Sequence, residues 1–261
     1  MAELHNDDSM IGWAEGPEPE STVDIGVLTR GKPTLGITLT SLLLQDYCRV
    51  RIHIVDISET PVINRDDVTL AMRLAFDRGV HCSYERLSER KKGFSLGRLR
   101  LLEMIAGPYV CFVEDDIALS SSVVARLLHT ASRQQGFGCI SPVSKNPALP
   151  FGGRRETPCY VPGSLLYLDD VLGRALRMYY GSTVDVVDAV RAPDKVWEVA
   201  FLGELLRQLG RPPVLEPSAV IYHLDYHDMQ NWQLADTSIV RRSIAVAHRL
   251  AARPVAESIA V

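Results

Sequence analysis

Paired cysteines, a long apolar run and an excess of basic charge are all missing from this chain of 261 residues. Its five cysteines (Cys48, Cys82, Cys111, Cys139, Cys159) are scattered with no C-x-x-C. An odd, unpatterned set excludes a small disulfide framework and points to reduced thiols, with Cys111 reading as core packing. No stretch reaches the roughly 20 apolar residues that span a bilayer, and the N-terminus lacks a basic region followed by an apolar run. The expectation is a soluble, cytoplasmic protein with no integral membrane segment. The net charge of −4 gives no bulk electrostatic reason to bind nucleic acid or a membrane surface. No G-x-G-x-x-G follows any strand-like stretch, which argues against a generic dinucleotide-binding domain. Internal repeats and low-complexity tracts are absent too. What remains, 46% hydrophobic and 23% charged residues, is an ordinary globular composition. The length suffices for one large domain or two closely joined halves.

Residues 1–22 are acidic and contain Gly16-Pro17-Glu18-Pro19, the composition of a mobile tail. Strand and helix signals then alternate. Val23–Leu28 reads as a strand, 29–33 as a loop, and a helix follows from a capping Thr34 to about Asp46. Val50–Val55 is the next strand, with Asp56 at its end. A helix over Arg65–Arg78 stops at Gly79, and a short strand follows near Val80–Tyr84. A basic loop and a helix over Leu96–Ala106 lead into a strand at 109–113. Such alternation predicts a mainly parallel sheet with helices on both faces. The second half is less regular. A helix over Ser121–Gln134 and a strand at Gly138–Ser141 precede a Pro-, Gly- and Arg-rich segment, 142–162, long enough to be a functional loop. Strand character resumes over Val161–Leu168. A helix over Asp194–Leu209, a last strand at Ala219–Tyr222 and an amphipathic helix at 236–252 complete the reading.

The stretch Tyr109-Val110-Cys111-Phe112-Val113-Glu114-Asp115-Asp116 stands out, because a buried strand delivers three carboxylates at its C-terminal end. In open α/β sheets chemistry gathers there. In an extended chain Glu114 and Asp116 share one face and Asp115 the other. Clustered carboxylates repel unless a cation sits between them, and a hard divalent ion such as Mg²⁺ or Mn²⁺ suits them. The alternative is a solvated acidic turn capping the helix that begins near Ser120–Ser122.

Several motifs, in order, resemble those of the family 2 glycosyltransferases, which have the GT-A fold. Ser41-Leu42-Leu43-Leu44-Gln45-Asp46-Tyr47 is similar to the family's S-(x)-L-x-Q-x-Y, and Val55-Asp56-Ile57-Ser58 resembles its V-D-D-G-S. Gly93-Phe94-Ser95-Leu96-Gly97-Arg98-Leu99 departs from the family's G-x-x-x-A-R-N but keeps the arginine. Glu114-Asp115-Asp116 corresponds to its Asp-x-Asp signature, and Trp197-Glu198-Val199 falls where it has G/W-E-D. The likeness covers about residues 23–223.

The resemblance implies an α/β fold, with a GT-A (Rossmann-like) mixed, mainly parallel sheet flanked by helices. A nucleotide-sugar half at 23–119 and an acceptor half at 120–235 would precede a C-terminal helix and tail at 236–261. It implies a metal-dependent transferase that moves a sugar from a nucleotide-sugar donor to a small-molecule or carbohydrate acceptor. Asp116 and His223 would hold Mn²⁺ or Mg²⁺, with His227 the alternate. Glu114 and Asp115 would face the ribose or the ion, and Thr29 and Arg30 would line the nucleotide pocket. Asp56 would accept from the base, or else cap a turn. Arg98, with Lys91 and Lys92, would hold diphosphate oxygens. Glu198 would be the general base, although Val199 replaces the family's Asp. Asp194 or Glu204 could take that role, a retaining enzyme would need no such base, and Glu198 could simply be a helix N-terminal acid. The stereochemical outcome is open. The 142–162 loop is placed to act as a lid, and the C-terminal helix could join a second copy. Two further readings are a catalytically inactive nucleotide- or glycan-binding relative and a sugar-nucleotide pyrophosphorylase. The pyrophosphorylase reading suffers because the loop after the first strand carries a single glycine and a proline.

Overall fold

A computed structural model describes residues 21–87, 93–134, 136–145, 154–155, 160–187 and 194–224. The acidic segment 1–20, Lys91 and Lys92, most of the 142–162 loop, His227 and the 236–252 helix lie outside the described residues.

The first half is built on β1 (Val23–Thr29), β2 (Val50–Asp56), β3 (His81–Arg86) and β4 (Tyr109–Glu114). They pair in parallel in the order β3-β2-β1-β4. Every residue of β1 is buried. Both faces of a parallel sheet are covered by its crossover helices, so such strands read as continuous apolar runs. Alternate residues of β4 serve two cores. Cys111 and Val113 join Leu35, Leu39 and Val68 from α1 (Leu35–Leu43) and α2 (Asp66–Asp77). Val110 and Phe112 join Leu101 and Leu102 from α3 (Phe94–Met104). Gly97 lets α3 sit close on β1, since a Cβ there would come 2.4 Å from Leu28 Cδ1.

The second half closes the sheet. A short β5 (Ile117–Leu119) and α4 (Val123–Arg133) precede β6 (Cys139–Lys145), β7 (Arg154–Arg155) and β8 (Leu165–Tyr167). Then come α5 (Asp170–Val187), α6 (Asp194–Gln208) and β9 (Val214–His223). The sheet runs β3-β2-β1-β4-β8-β6-β9-β5, with β7 attached to β6. β8 is antiparallel to β4 and β6, β6 is parallel to β9, and β5 is antiparallel to β9. The expected mixed, mainly parallel sheet is observed.

Some expectations change. Thr34 does not cap α1 with its side chain. Its hydroxyl instead donates to the Asp115 carbonyl at 2.8 Å, tying the helix start to the end of β4. Residues 170–187 were not anticipated as a helix, yet Leu172, Ala175, Leu176, Tyr179 and Tyr180 are buried along α5 at helical spacing. Gly173 and Gly181 weaken that signal, because glycine disfavours helix interiors. The last strand is longer than Ala219–Tyr222, and the part of 142–162 that reaches Lys145 continues β6.

The S-(x)-L-x-Q-x-Y resemblance has a physical counterpart. Buried Gln45 donates from Nε2 to the Ser41 carbonyl at 3.0 Å and the Ser120 carbonyl at 2.9 Å. Its Oε1 accepts the Val124 N–H at 3.1 Å, one of the orphan donors at the start of α4. Ser41 Oγ accepts the Leu119 N–H at 3.1 Å. The end of α1 therefore fixes the segment that leaves the acidic turn.

At the opposite edge of the sheet, buried Asp24 is bound by Arg51 Nε and Nη2, each at 2.8 Å, and by His53 Nε2 at 3.0 Å. The Gly107 N–H donates to it at 2.8 Å. Burial alone would raise its pKa, but the hydrogen bonds from His53, Arg51 and Gly107 outweigh burial and lower it to about 2. A folded value below the ordinary 3.8 gives stability that is complete above that pH and is lost as pH falls through about 2. The difference corresponds to about 2 kcal/mol. Chemical denaturation at pH 7 and pH 2 should show this acid-side loss in the native chain and a smaller one in Asp24→Asn.

Candidate functional site

The three acids stand where β4 ends and a tight turn, Asp115-Asp116, leads into β5. They are at most 5% exposed. Asp115 Oδ2 accepts from Thr29 Oγ1 at 2.8 Å, the Arg30 N–H at 3.0 Å and the Lys32 N–H at 3.3 Å. Thr29 Oγ1 in turn accepts the Gly31 N–H at 2.9 Å. Asp115 and Thr29 thus fasten the loop after β1, and Asp115 also borders the adjoining pocket. Arg30 is exposed and lines the adjoining pocket.

Glu114 and Asp116 share the other side, as the sequence spacing suggests, although the two aspartates form a turn rather than extended chain. His223 joins them because Ile117 pairs with His223 across β5 and β9, and the Leu224 N–H donates to the Asp116 carbonyl at 2.7 Å. His223 Nε2 lies 3.7 Å from Glu114 Oε2 and 3.9 Å from Asp116 Oδ1. One ligand atom from each of Glu114, Asp116 and His223 falls within 4.8 Å of the others. Asp116 Oδ1 is buried and accepts no hydrogen bond among the described residues. Two carboxylates, an imidazole and an orphaned acceptor oxygen fit a hard or borderline divalent cation. Lys32, not anticipated as a site residue, places Nζ 2.6 Å from Asp116 Oδ2.

A pocket of about 210 Å³ opens beside this cluster, lined by Leu28, Arg30, Lys32, Phe94, Arg98, Glu114 and Asp115. Arg98, fully buried, has its guanidinium carbon 5.1 Å from the Phe94 ring centroid and 4.9 Å from that of Phe112. Its Nε lies 2.9 Å from Glu198 Oε1, and Nη2 donates to Oε2 at 3.2 Å. Its Nη1 has no hydrogen-bond partner among the described residues. Burial disfavours its charge, but the Glu198 carboxylate beside it prevails and keeps the guanidinium more firmly protonated than usual.

Glu198, the candidate general base, is enclosed. It is 1% exposed, and its oxygens are engaged by Arg98 and by the Tyr180 hydroxyl. A buried guanidinium needs a counter-charge, and α6 supplies it. Burial, with the Glu198 charge adding to it, pushes the Tyr180 phenol far above its ordinary range. Glu204 sits on the outer side of α6, bonded by Arg207 and Gln208. Asp56 is also spoken for. Oδ1 accepts from the Ser58 N–H at 2.7 Å, and Oδ2 from the Val62 N–H at 3.0 Å and Tyr84 Oη at 2.7 Å. This is the turn-capping arrangement. Sequence spacing alone could have flagged Lys32, two residues after Arg30, but not Tyr180 or Phe112, which only the fold brings to Arg98.

No family model matches the chain. Succinoglycan biosynthesis protein ExoM of Rhizobium meliloti (strain 1021) is 28% identical over 131 residues, covering 49% of this chain and 40% of that one. Among solved structures, S. aureus TarS 1-349 in complex with UDP-GlcNAc superposes with a TM-score of 0.60 at 14% identity, covering 90% of this chain and 68% of that one. The chain spans 39% of the longer TarS structure. The mannosyltransferase PcManGT from Pyrobaculum calidifontis, in complex with GDP-Man and Mn²⁺, gives 0.57 at 15% identity, covering 94% and 80%. The fold is that of the GT-A glycosyltransferases. In this GT-A chain the acidic turn, His223 and the pocket all lie at the carboxyl edge of the central strands, where open α/β sheets bind ligands.

The Arg98–Glu198 pair makes a quantitative test. Arg98→Met or Glu198→Leu alone strands a buried charge and should cost about 3–5 kcal/mol. The double substitution should recover most of that loss in urea denaturation.

Proposed function

We propose that this chain is a metal-dependent glycosyltransferase that moves a sugar from a nucleoside-diphosphate sugar to a hydroxyl of a small-molecule or carbohydrate acceptor. The observation that carries the reading is the convergence of Glu114, Asp116 and His223 beside a pocket lined by Arg30, Lys32 and Arg98. Complexes of the similar folds with UDP-GlcNAc, with GDP-Man and Mn²⁺, and of GalNAc-T7 with UDP, GalNAc and Mn²⁺, support it.

Asp116, Glu114 and His223 would hold Mn²⁺ or Mg²⁺. Once bound there, a divalent ion supplies positive charge opposite the departing diphosphate. Arg30, which lines the pocket, would meet anionic oxygens, and Arg98 Nη1 would offer a buried donor to the same occupant. Asp115 and Thr29 hold the loop that carries Arg30, and Asp56 shapes the neighbouring loop after β2 from beneath. In this reading Glu198 keeps Arg98 charged and aimed, rather than taking a proton from the acceptor. Among the described residues no helix is long and apolar enough to cross a membrane. A second reading, donor binding without turnover, draws on the enclosure of Glu198 and on Val199 beside it.

Calorimetric titration with UDP, GDP, TDP and ADP, with and without Mn²⁺, tests the proposal. One diphosphate should bind in a metal-dependent manner, and Asp116→Ala should abolish that dependence. No binding under any condition would sink it. Metal-dependent binding with no donor hydrolysis and no transfer would instead favour the non-catalytic reading.

A further inference from the structure

We infer that Lys32 is a built-in counter-ion that occupies the acidic site before the donor arrives and then moves to the donor's diphosphate, so that metal and nucleotide bind cooperatively. The inference rests on the metal reading of Glu114, Asp116 and His223. It concerns a residue of this chain's own loop and not the ligands themselves.

The loop backbone around Lys32 is pinned from two directions. From below, the Lys32 N–H donates to Asp115 Oδ2 at 3.3 Å. From the side, Arg65 Nη1 donates to the carbonyls of Gly31 at 3.1 Å and Lys32 at 2.8 Å, while Arg65 Nη2 donates to that of Pro33 at 3.1 Å. Arg65 is itself anchored by Asp67 at 2.6 Å. With the backbone fixed, the freedom that remains belongs to the four-carbon stem of the lysine, and its ammonium is a compact charge with rotatable donors.

That ammonium has an anionic partner in the donor-free chain and borders a pocket where a diphosphate would bring a second. The partner is Asp116 Oδ2, 2.6 Å away. The pocket is the one that Lys32 lines together with Arg30 and Arg98. Asp116 is wholly buried, so without a neighbouring cation its charge would be poorly compensated. The ammonium supplies that compensation in the donor-free chain. A divalent cation among Glu114, Asp116 and His223 would place like charges side by side at Asp116, which disfavours its entry while Lys32 stays. Diphosphate oxygens in the pocket offer the ammonium an alternative partner. The resulting linkage is reciprocal, because whatever draws Lys32 away strengthens the metal, and the metal in turn strengthens nucleotide binding.

The test measures Mn²⁺ affinity by the electron paramagnetic resonance signal of free Mn²⁺, with and without saturating UDP or GDP, in the native chain, Lys32→Met and Lys32→Arg. Lys32→Met keeps the length of the stem without its charge, and circular dichroism confirms folding. The expected result is that Lys32→Met binds Mn²⁺ about tenfold more tightly than the native chain when nucleotide is absent, inside the roughly 5–150-fold range of linked sites. The enhancement of Mn²⁺ binding by nucleotide should shrink by the same factor, and Lys32→Arg should retain it. Equal or weaker Mn²⁺ binding by Lys32→Met without nucleotide would overturn the inference and leave the metal site standing. If no protein bound Mn²⁺ under any condition, the metal reading itself would fall, and the inference with it.

Discussion

Three consecutive carboxylates, each nearly out of water, set the terms for the rest of this structure. Ligand atoms of Glu114 and Asp116 lie within 4.8 Å of each other. Two like charges about 5 Å apart repel by roughly 3 kcal/mol at an effective dielectric near 20. That is a sizeable share of the roughly 5–15 kcal/mol that keeps a domain folded. The chain answers differently at each position. Asp115 is satisfied by Thr29 and two backbone N–H groups, Asp116 by the Lys32 ammonium, and Glu114 faces His223. The Asp115 solution ties the acidic turn to a neighbouring loop. It fixes the loop after β1, and Thr34 repeats the tie from the start of α1. The same residue that tolerates burial thereby sets the position of the cations around the pocket.

Two other buried charges are each matched by a partner from another element. Arg98 on α3 meets Glu198 on α6, and Asp24 on β1 meets Arg51 and His53 on β2. The two pairs differ in consequence. Asp24 sits at the amino ends of the central strands, opposite the pocket at their carboxyl ends, with backbone donors from the turn before β4. It contributes stability. Arg98 sits under the carboxyl edge with Nη1 lacking a hydrogen-bond partner among the described residues, and the Phe94 and Phe112 rings lie about 5 Å from its guanidinium carbon. A buried donor without an acceptor is costly, which makes it a place where a ligand gains most.

The parallel half was largely legible in the sequence. Strands covered on both faces leave unbroken apolar runs, as in Val23–Thr29, and helices between them show their apolar faces at helical spacing. The two-residue period pointed to the pairing of Glu114 with Asp116, although the chain turns there, and His223 stands out at the end of the last strand. Other features needed the third dimension. The short β5 exists only because β9 pairs with it, and a three-residue strand carries no periodicity of its own. The direction in which α6 points Glu198 depends on which face packs inward. Phe201, Leu202, Leu205 and Leu206 are buried along that helix, and Glu198 stands one turn before Leu202 and so shares its face. Helix phase thus puts Glu198 on the packed face, whereas the motif resemblance matches residue type alone.

The pairing of β5 with β9 explains why a metal-type cluster appears in this chain at all. Glu114 and Asp116 come from the parallel half, and His223 from a strand more than a hundred residues later. Their meeting depends on the antiparallel register Ile117–His223, Ala118–Tyr222, Leu119–Ile221. In a strand, a slip of one residue turns every side chain to the opposite face, which would replace His223 with Tyr222 and expose Ile221. Ile221, 1% exposed, opposes that slip because its burial is worth about 1.5–3 kcal/mol, as for any aliphatic side chain of its size. The register is further held by the bond from the Leu224 N–H to the Asp116 carbonyl and by the Ser120 N–H and Oγ on the Val220 carbonyl. An apolar anchor and a few backbone bonds at the far edge of the sheet therefore decide whether an imidazole joins the acids at its centre.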